Sequence, residues 1–385
     1  MREPATDLMV VRGAQVHAPA PLGRMDLVLG GGRVLAMGQD LAVGSLPCIE
    51  LDARGLIAAP GLVDSLVHLS GGGGEGGFAT RTAPLRGEDA LAAGVTTLVG
   101  ALGTDDVTRS LADLLACARA LAVHGLSAYA LTGSYHVPVR TLTASVRDDL
   151  VLVPDFIGVG EVAIADHRGA QPTVDELARI ASEARVGGML AGKQGTVLVH
   201  VGDHDDGLAL LAEVCRRHPV PPTQWLPTHV NRHATLLAQG ERWMHAGGLV
   251  DLTTSTTPEL VAAGDIPADD ALARLLAAGA DPTRITLSSD GQASLPDFAP
   301  DGTLRALGVA PIGSLLEAVR GAVRTHRVPL ELALAAATAN PARAWGLRRK
   351  GLLQVGADAD VLLLEPGALA LRATIAGGRL TRFSA

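Results

Sequence analysis

Between residues 59 and 344 the chain alternates short apolar runs with longer stretches of helical periodicity. The apolar runs are LVDSLVHL (62–69), TTLVGAL (96–102), SAYALTG (127–133), FIGVGEVAI (156–164), TVLVHVG (196–202), WLPTHV (225–230), LVDLTT (249–254) and ITLSSD (285–290). Runs of this length bounded by turn residues predict buried strands. Between most of them, segments such as VTRSLADLLACARALAVHG and TVDELARIASEARVGGML repeat apolar residues at i, i+3, i+4 and i+7, the spacing of an amphipathic helix. Eight strands with helical crossovers predict an α/β fold of the (β/α)8, TIM-like barrel type, with its site at the C-terminal strand ends. A doubly wound open sheet is the competing architecture, but no G-x-G-x-x-G follows the first strand.

The two ends of the chain read differently. Residues 7–58 (LMVVRGAQVHA, MDLVLGGGRVLAMG, CIELDARGLIAAPG) and the C-terminal GLLQVGADADVLLLE and ALRATIAGGRLTRF are short β segments punctuated by Gly and Asp. They predict one small β-sandwich domain built from both termini, residues 1–58 plus 345–385, beside a barrel of residues 59–344.

Composition narrows the function. A chain of 385 residues, 48% hydrophobic, suits one large domain plus a minor one. It has no apolar run near the ~20 residues that span a bilayer, and MREPATDLMVV lacks the features of a signal peptide. The net charge of −8 argues against a nucleic-acid or anionic-membrane partner. Cys48, Cys117 and Cys215 form neither a metal-spacing motif nor a disulfide framework, so a reducing cytoplasm is the expected location. The chain holds two lysines, Lys193 and Lys350.

Several strand candidates end in ionisable residues: His68 on the first, Glu161 on the fourth, His200 on the fifth, His229 on the sixth and Asp290 on the eighth. Singly, each histidine reads equally well as a hydrogen-bonded core residue. Gathered at one end of one barrel they read as a metal site, because buried charges need partners or metals. The first strand also carries Asp64 and runs into four glycines, Gly71 to Gly74, a loop of the kind that carries function.

The stretches GGGGEGG (71–77), RTAP (81–84), LGTDD (102–106), LTGSYHVPVRT (131–141), ADHRGAQP (165–172), RVGGMLAGKQG (185–195), VHVGD (199–203), LPTHVNR (226–232) and LSSDGQAS (287–294) span nearly the whole length. Together they resemble the isoaspartyl dipeptidase family of the amidohydrolase superfamily. The resemblance implies cleavage of dipeptides joined through an aspartyl side chain, by two zinc ions in a (β/α)8 barrel accompanied by a small β domain.

This chain departs from the family at two metal positions. The first strand of the family carries an H-x-H pair, and here Leu66-Val67-His68 keeps only the second histidine. The family's bridging carbamylated lysine is replaced by Glu161, and neither Lys193, in the loop before the fifth strand, nor Lys350, beyond the barrel, can stand in for it. Glu161 retains charge and oxygen ligation. With His200 and His229 it offers three ligands and leaves a position for water, the shape of a catalytic zinc site. The N-acetylglucosamine-6-phosphate deacetylases of the superfamily resemble this pattern, with a strand glutamate and, in some members, a single metal and no H-x-H pair. The expectation is one zinc per chain and no second metal. The other reading of Glu161 is a buried carboxylate paired with Arg168 or a histidine, without metal.

Asp290 is the expected general base, taking a proton from the attacking water and passing it to the leaving amine; Asp-Gly also suits a cap on a helix after the eighth strand. By resemblance, Tyr135 polarises the scissile carbonyl; otherwise it is an ordinary loop tyrosine. His68 orients water, bonds Asp290 or weakly holds a second metal. The resemblance assigns Glu75 to the free amino group, Arg168 and Arg232 to substrate carboxylates, and Gly73, Thr104 and Ser294 to the pocket wall. Three functions stay open: hydrolysis of a β-aspartyl dipeptide, another amide chemistry such as N-acyl amino acid deacylation or cyclisation of a specialised metabolite, and a silent binding relative. A small dipeptide-like substrate and a homo-oligomeric state are expected.

Overall fold

The computed structural model describes residues 8–298 and 304–382. Residues 1–7 and 383–385, which belong to the expected terminal β domain, lie outside the described residues. From the N-terminus come β1 (Leu8–His17), β2 (Pro21–Gly30), β3 (Arg33–Gly38), β4 (Cys48–Asp52) and β5 (Ile57–Pro60). The parallel strands follow: β6 (Leu62–Val67), β7 (Val95–Gly100), β8 (Ser127–Thr132), β9 (Phe156–Ile164), β10 (Thr196–Val201), β11 (Trp225–Thr228), β12 (Val250–Thr253) and β13 (Ile285–Ser288). After them come β14 (Ser294–Phe298), β15 (Leu304–Val309), β16 (Val361–Leu364), β17 (Leu371–Ala376) and β18 (Arg379–Arg382).

The terminal strands form one mixed sheet in the order β18-β17-β16-β5-β1-β2-β3, with β4 alongside β1. Its apolar face is a core of its own, where Val11, Leu27 and Leu29 from the N-terminus meet Val361, Leu363 and Ile375 from the C-terminus. Lys350 is buried beneath this sheet, its Nζ 2.8 Å from Asp358 and 2.6 Å from Asp360.

The eight apolar runs of the middle all become strands. β6 to β11 are hydrogen-bonded in chain order into one parallel sheet, and β12 pairs in parallel with β13. The His68 amide donates to Gly291 O at 2.8 Å and the Val230 amide to Asp251 O at 3.3 Å, linking the pair to both edges of the larger sheet. Every residue of β6, β7, β9 and β10 is buried, as expected of strands covered on both faces. The helices supply the outer cover. In Val174–Ala191 the Thr173 side chain accepts from the Glu176 amide and Glu176 returns a bond to the Thr173 amide, a capping box, while Leu177, Ile180, Ala181 and Ala184 turn one apolar face inward.

Leu66 lies in the cluster formed by inward-facing strand residues, with Val99, Leu131, Leu198 and Leu226. The position that carries a ligand in the resembling family is filled here by packing. One feature had no counterpart in the strand-and-helix pattern: β13 is followed by an antiparallel hairpin, β14 against β15, that pairs Ser294 with Val309. No helix among the described residues is long and apolar enough to cross a membrane.

Candidate active site

The C-terminal ends of the parallel strands converge on one cavity of about 560 Å³. All the residues given a catalytic, metal or substrate role in the sequence line it except Glu161, which is 1% exposed within β9 beside His68, His200 and His229. The glycine loop after β6 is held open by Arg109, whose guanidinium donates to the carbonyls of Ser70, Gly72 and Thr82. Gly73 sits at φ +73, and a Cβ there would lie 2.4 Å from Thr80 O and 2.7 Å from Ser294 Cβ, so the position requires glycine.

Glu161, His200 and His229 bring one ligand atom each within 4.8 Å of one another. Their hydrogen bonds fix which nitrogens face inward. His200 Nε2 lies 2.9 Å from Asp166 Oδ2, and a carboxylate only accepts, so Nε2 carries the proton; in the neutral ring Nδ1 then presents its lone pair. His229 Nδ1 lies 2.6 Å from Thr253 Oγ1, which leaves its Nε2 free to face Glu161. His200 Nδ1 and His229 Nε2 stand 3.3 and 3.9 Å from Glu161 Oε2, a buried oxygen with no hydrogen-bond partner. Burial pushes the His229 pKa down to about 4, so its ring is neutral. The Glu161 Oε2 and His229 Nε2 lone pairs repel in a dry pocket unless a cation lies between them, and such a cation would take the His200 Nδ1 lone pair in place of the Tyr135 hydroxyl 2.7 Å away. This donor set therefore fits a divalent metal ion.

His68 Nδ1 lies 3.2 Å from the Ala101 carbonyl, which turns Nε2 toward Asp290 Oδ1 at 3.2 Å and Glu161 Oε1 at 3.6 Å. Burial opposes charge on this ring, but the adjoining carboxylates of Asp290 and Glu161 push its pKa up to about 9. The ring is flanked by Gly72 and Gly103, whose hypothetical Cβ atoms would lie 3.2 and 3.1 Å from it. His68 thus brings a positive charge beside Glu161 Oε1.

Asp290 follows a strand end fixed by Asp64, which accepts from the Ser289 amide at 3.0 Å and from its hydroxyl. The helix-cap reading of Asp290 is corrected by the fold. The chain continues through Gly291 into the hairpin, and the next helix, Ser314–Arg324, has Gly313 at its N-cap. Asp290 Oδ1 is buried without a hydrogen-bond partner beside His68.

Tyr135 stands 2.7 Å from His200 Nδ1 and is buried; burial, then the charge of Glu161, hold its pKa well above the usual phenol value, so it remains a donor. On the facing wall Thr104 donates to Glu75 at 2.7 Å, Ser294 at 3.3 Å, and Arg168 Nη1 lies 3.6 Å from the same carboxylate. Arg232 reaches within 3.5 Å of His200 Nε2 and 3.8 Å of Asp203. Arg168 is bound to Asp166 by two side-chain bonds, so the partners left to Glu161 are histidines.

Asp166, Thr253, Asn231 and Arg109 were not picked out from the sequence. Asn231 accepts from the Thr253 amide and donates to Thr253 O and Ile266 O, setting the loop behind His229. Asp166 was within reach, since it lies two residues before Arg168 in a motif already quoted. Neither lysine approaches the site: Lys193 Nζ donates to the carbonyls of Leu150, Val153 and Phe156, and Lys350 is held by Asp358 and Asp360.

A profile of the amidohydrolase family matches residues 57–381. The β-aspartyl dipeptidase from the thermophilic keratin-degrading Fervidobacterium islandicum AW-1, in complex with β-Asp-Leu dipeptide, is 38% identical with a TM-score of 0.91, covering 99% of this chain and 97% of that one. A second structure of β-aspartyl dipeptidase from the same organism is 36% identical with a TM-score of 0.89 and 97% coverage of both chains. N-acetylglucosamine-6-phosphate deacetylase from Pasteurella multocida shares the fold at 15% identity, with a TM-score of 0.63, over 98% of this chain and 100% of that one.

Proposed function

The chain belongs to the amidohydrolase family, among its β-aspartyl dipeptidases, and from that premise we propose that it hydrolyses the amide bond of β-aspartyl dipeptides with one divalent metal ion per chain. The observation that carries this reading is the unpartnered Glu161 oxygen facing the lone pairs of His200 and His229, in a cavity that also holds Glu75, Arg168 and Arg232. We read the eight parallel strands as a closed (β/α)8 barrel, with residues 1–58 and 345–385 as the accompanying small domain.

Two imidazoles and a carboxylate with an open position suit zinc. Bound there, the metal would supply Lewis acidity to the scissile carbonyl and the attacking water. Asp290 takes the proton of that water and delivers it to the departing amine. Tyr135, kept neutral by burial, donates to the oxygen on which charge develops. Glu75 receives the substrate ammonium, and Arg168 and Arg232 receive carboxylates in their planar forks. Gly73, Thr104 and Ser294 shape the wall on which the aspartyl part rests. His68 holds charge opposite Asp290 and Glu161, so no second metal is required.

The exposed Leu152, Met189 and Leu190 on neighbouring helices support the homo-oligomeric expectation. The reading is tested by incubating the protein with β-Asp-Leu, β-Asp-Ala and their α-linked isomers, with and without a chelator. Cleavage confined to the β-linked peptides and abolished by the chelator is expected. Inertness toward every β-linked peptide, or full activity after metal removal, contradicts it.

A further inference from the structure

One buried carboxylate next to this site is not used by the reaction outlined above. Asp166 lies two residues beyond β9, 4% exposed. Its Oδ2 accepts from His200 Nε2 at 2.9 Å and from Arg168 Nη2 at 2.7 Å. Its Oδ1 accepts from Arg168 Nε at 3.0 Å and from the Arg168 amide at 2.8 Å. Both oxygens are thus engaged, and the two side chains they hold belong to different parts of the site.

The turn around Asp166 is built to keep it there. A Cβ on Gly202 would fall 2.2 Å from Ala165 O and 2.7 Å from Asp166 Cα and Cβ, so the end of β10 closes onto the turn only because residue 202 has no side chain. Ala165 adopts φ 52, in the left-handed region, and its carbonyl accepts from the His204 amide at 3.1 Å. Gln171 Nε2 donates to Asp166 O at 2.7 Å. Arg168, fixed by this turn, lies with its guanidinium 5.5 Å from the Tyr135 ring centre and 3.6 Å from Glu75.

Resting on the reading of a metal-dependent β-aspartyl dipeptidase, we propose that Asp166 is a positioning residue that ties the metal ligand to the substrate clamp. It holds His200 with Nδ1 toward Glu161, and it holds Arg168 extended over Tyr135 toward the substrate carboxylate. The physical reason is that one carboxylate can accept the imidazole N–H and the guanidinium fork together only if both donors are in place. A ligand histidine that donates its other N–H to a carboxylate is oriented and made more basic, and loss of such a partner typically costs about 10–100-fold in metal affinity. A guanidinium released from its carboxylate regains its rotamers and meets substrate less often.

The experiment compares the parent, Asp166→Asn and Arg168→Lys in zinc affinity, by competition with a chelator, and in kcat and KM for β-Asp-Leu. Asp166→Asn is expected to weaken zinc binding by about 10–100-fold and to raise KM. Arg168→Lys is expected to raise KM while zinc affinity stays within about twofold of the parent, because the His200–Asp166 bond survives. A merely structural Asp166 would lower the thermal midpoint of the metal-free protein and leave zinc affinity and KM of the folded variant unmoved; that result overturns the proposal. If Asp166→Asn does not fold, Asp166→Glu keeps the charge on a longer arm that cannot meet both donors, and parental values in both zinc affinity and KM overturn the proposal equally. A parent that binds no zinc, or does not cleave β-Asp-Leu, fails the underlying dipeptidase reading. A parent that does both beside an unaffected variant fails Asp166 alone.

Discussion

At the scale of single residues, two of the site's polar groups sit on strained backbone. His229 and Asp290 have φ of 63 and 52, in the left-handed region that costs an L-residue roughly 1–2 kcal/mol. Each follows a parallel strand by one or two positions, and each is over-determined by its neighbours: His229 by Thr253, Asp290 by Ser289 and Asp64 below it. Asparagine tolerates this backbone as readily as aspartate, so Asp290→Asn tests chemistry with little change in strain. Turnover of β-Asp-Leu should fall by about 10²–10⁴-fold, the usual contribution of a general base. Metal content should hold, and the thermal midpoint should move little, because no helix depends on Asp290. Turnover at the parental rate would remove Asp290 from the mechanism. The residues that carry charge at strand ends were legible in the sequence, since an ionisable side chain in an apolar run calls for an explanation. Asp166 and Thr253 were not, because their importance lies in which imidazole nitrogen they face, and orientation leaves no mark on residue type. Leu66 was visible as a missing ligand, but its place in the packed interior with Val99, Leu131 and Leu198 required the fold.

At the scale of elements, all eight parallel strands could be read as apolar runs, because burial on both faces leaves an uninterrupted signal. Their ends came out one or two residues shorter at several sites, as at β11, where Trp225–Thr228 forms the strand and His229 and Val230 leave it. The hairpin β14–β15 was missed: a barrel pattern leads one to expect a helix after the last strand, and two short strands without clean alternation do not contradict it. This element brings Ser294 against Glu75, so the omission lay close to the site. Lys193 shows how an element junction is held. Its ammonium donates at 2.6, 2.8 and 2.6 Å to Leu150 O at the end of the helix Val146–Leu152, Val153 O after it and Phe156 O at the start of β9. Lys193→Met keeps the aliphatic stem and removes all three bonds, leaving carbonyls that need partners. Stability should drop by about 1–3 kcal/mol with KM for β-Asp-Leu unchanged. A variant as stable as the parent would show that water replaces the ammonium without loss.

At the scale of the whole molecule, a mixed sheet built from both termini stands beside the parallel strands, each with a distinct apolar cluster. The site lies at the C-terminal end of the parallel strands, under the hairpin. The two departures from the dinuclear pattern form one coherent arrangement. Glu161 brings a fixed carboxylate where a carbamate would need carbon dioxide, His68 sets a charge beside it, and Leu66 packs into the apolar interior. Family and fold were legible because many short motifs occur in the right order. The number of metal ions was less legible, since it depends on how Glu161, His68 and Asp290 face one another, which residue type does not record. The account therefore stands on one measurement: zinc titrated into metal-free protein while β-Asp-Leu hydrolysis is followed. Activity should rise linearly and reach its plateau at one equivalent per chain, with no response to added bicarbonate. A plateau at two equivalents, or a plateau reached only with bicarbonate, would contradict it.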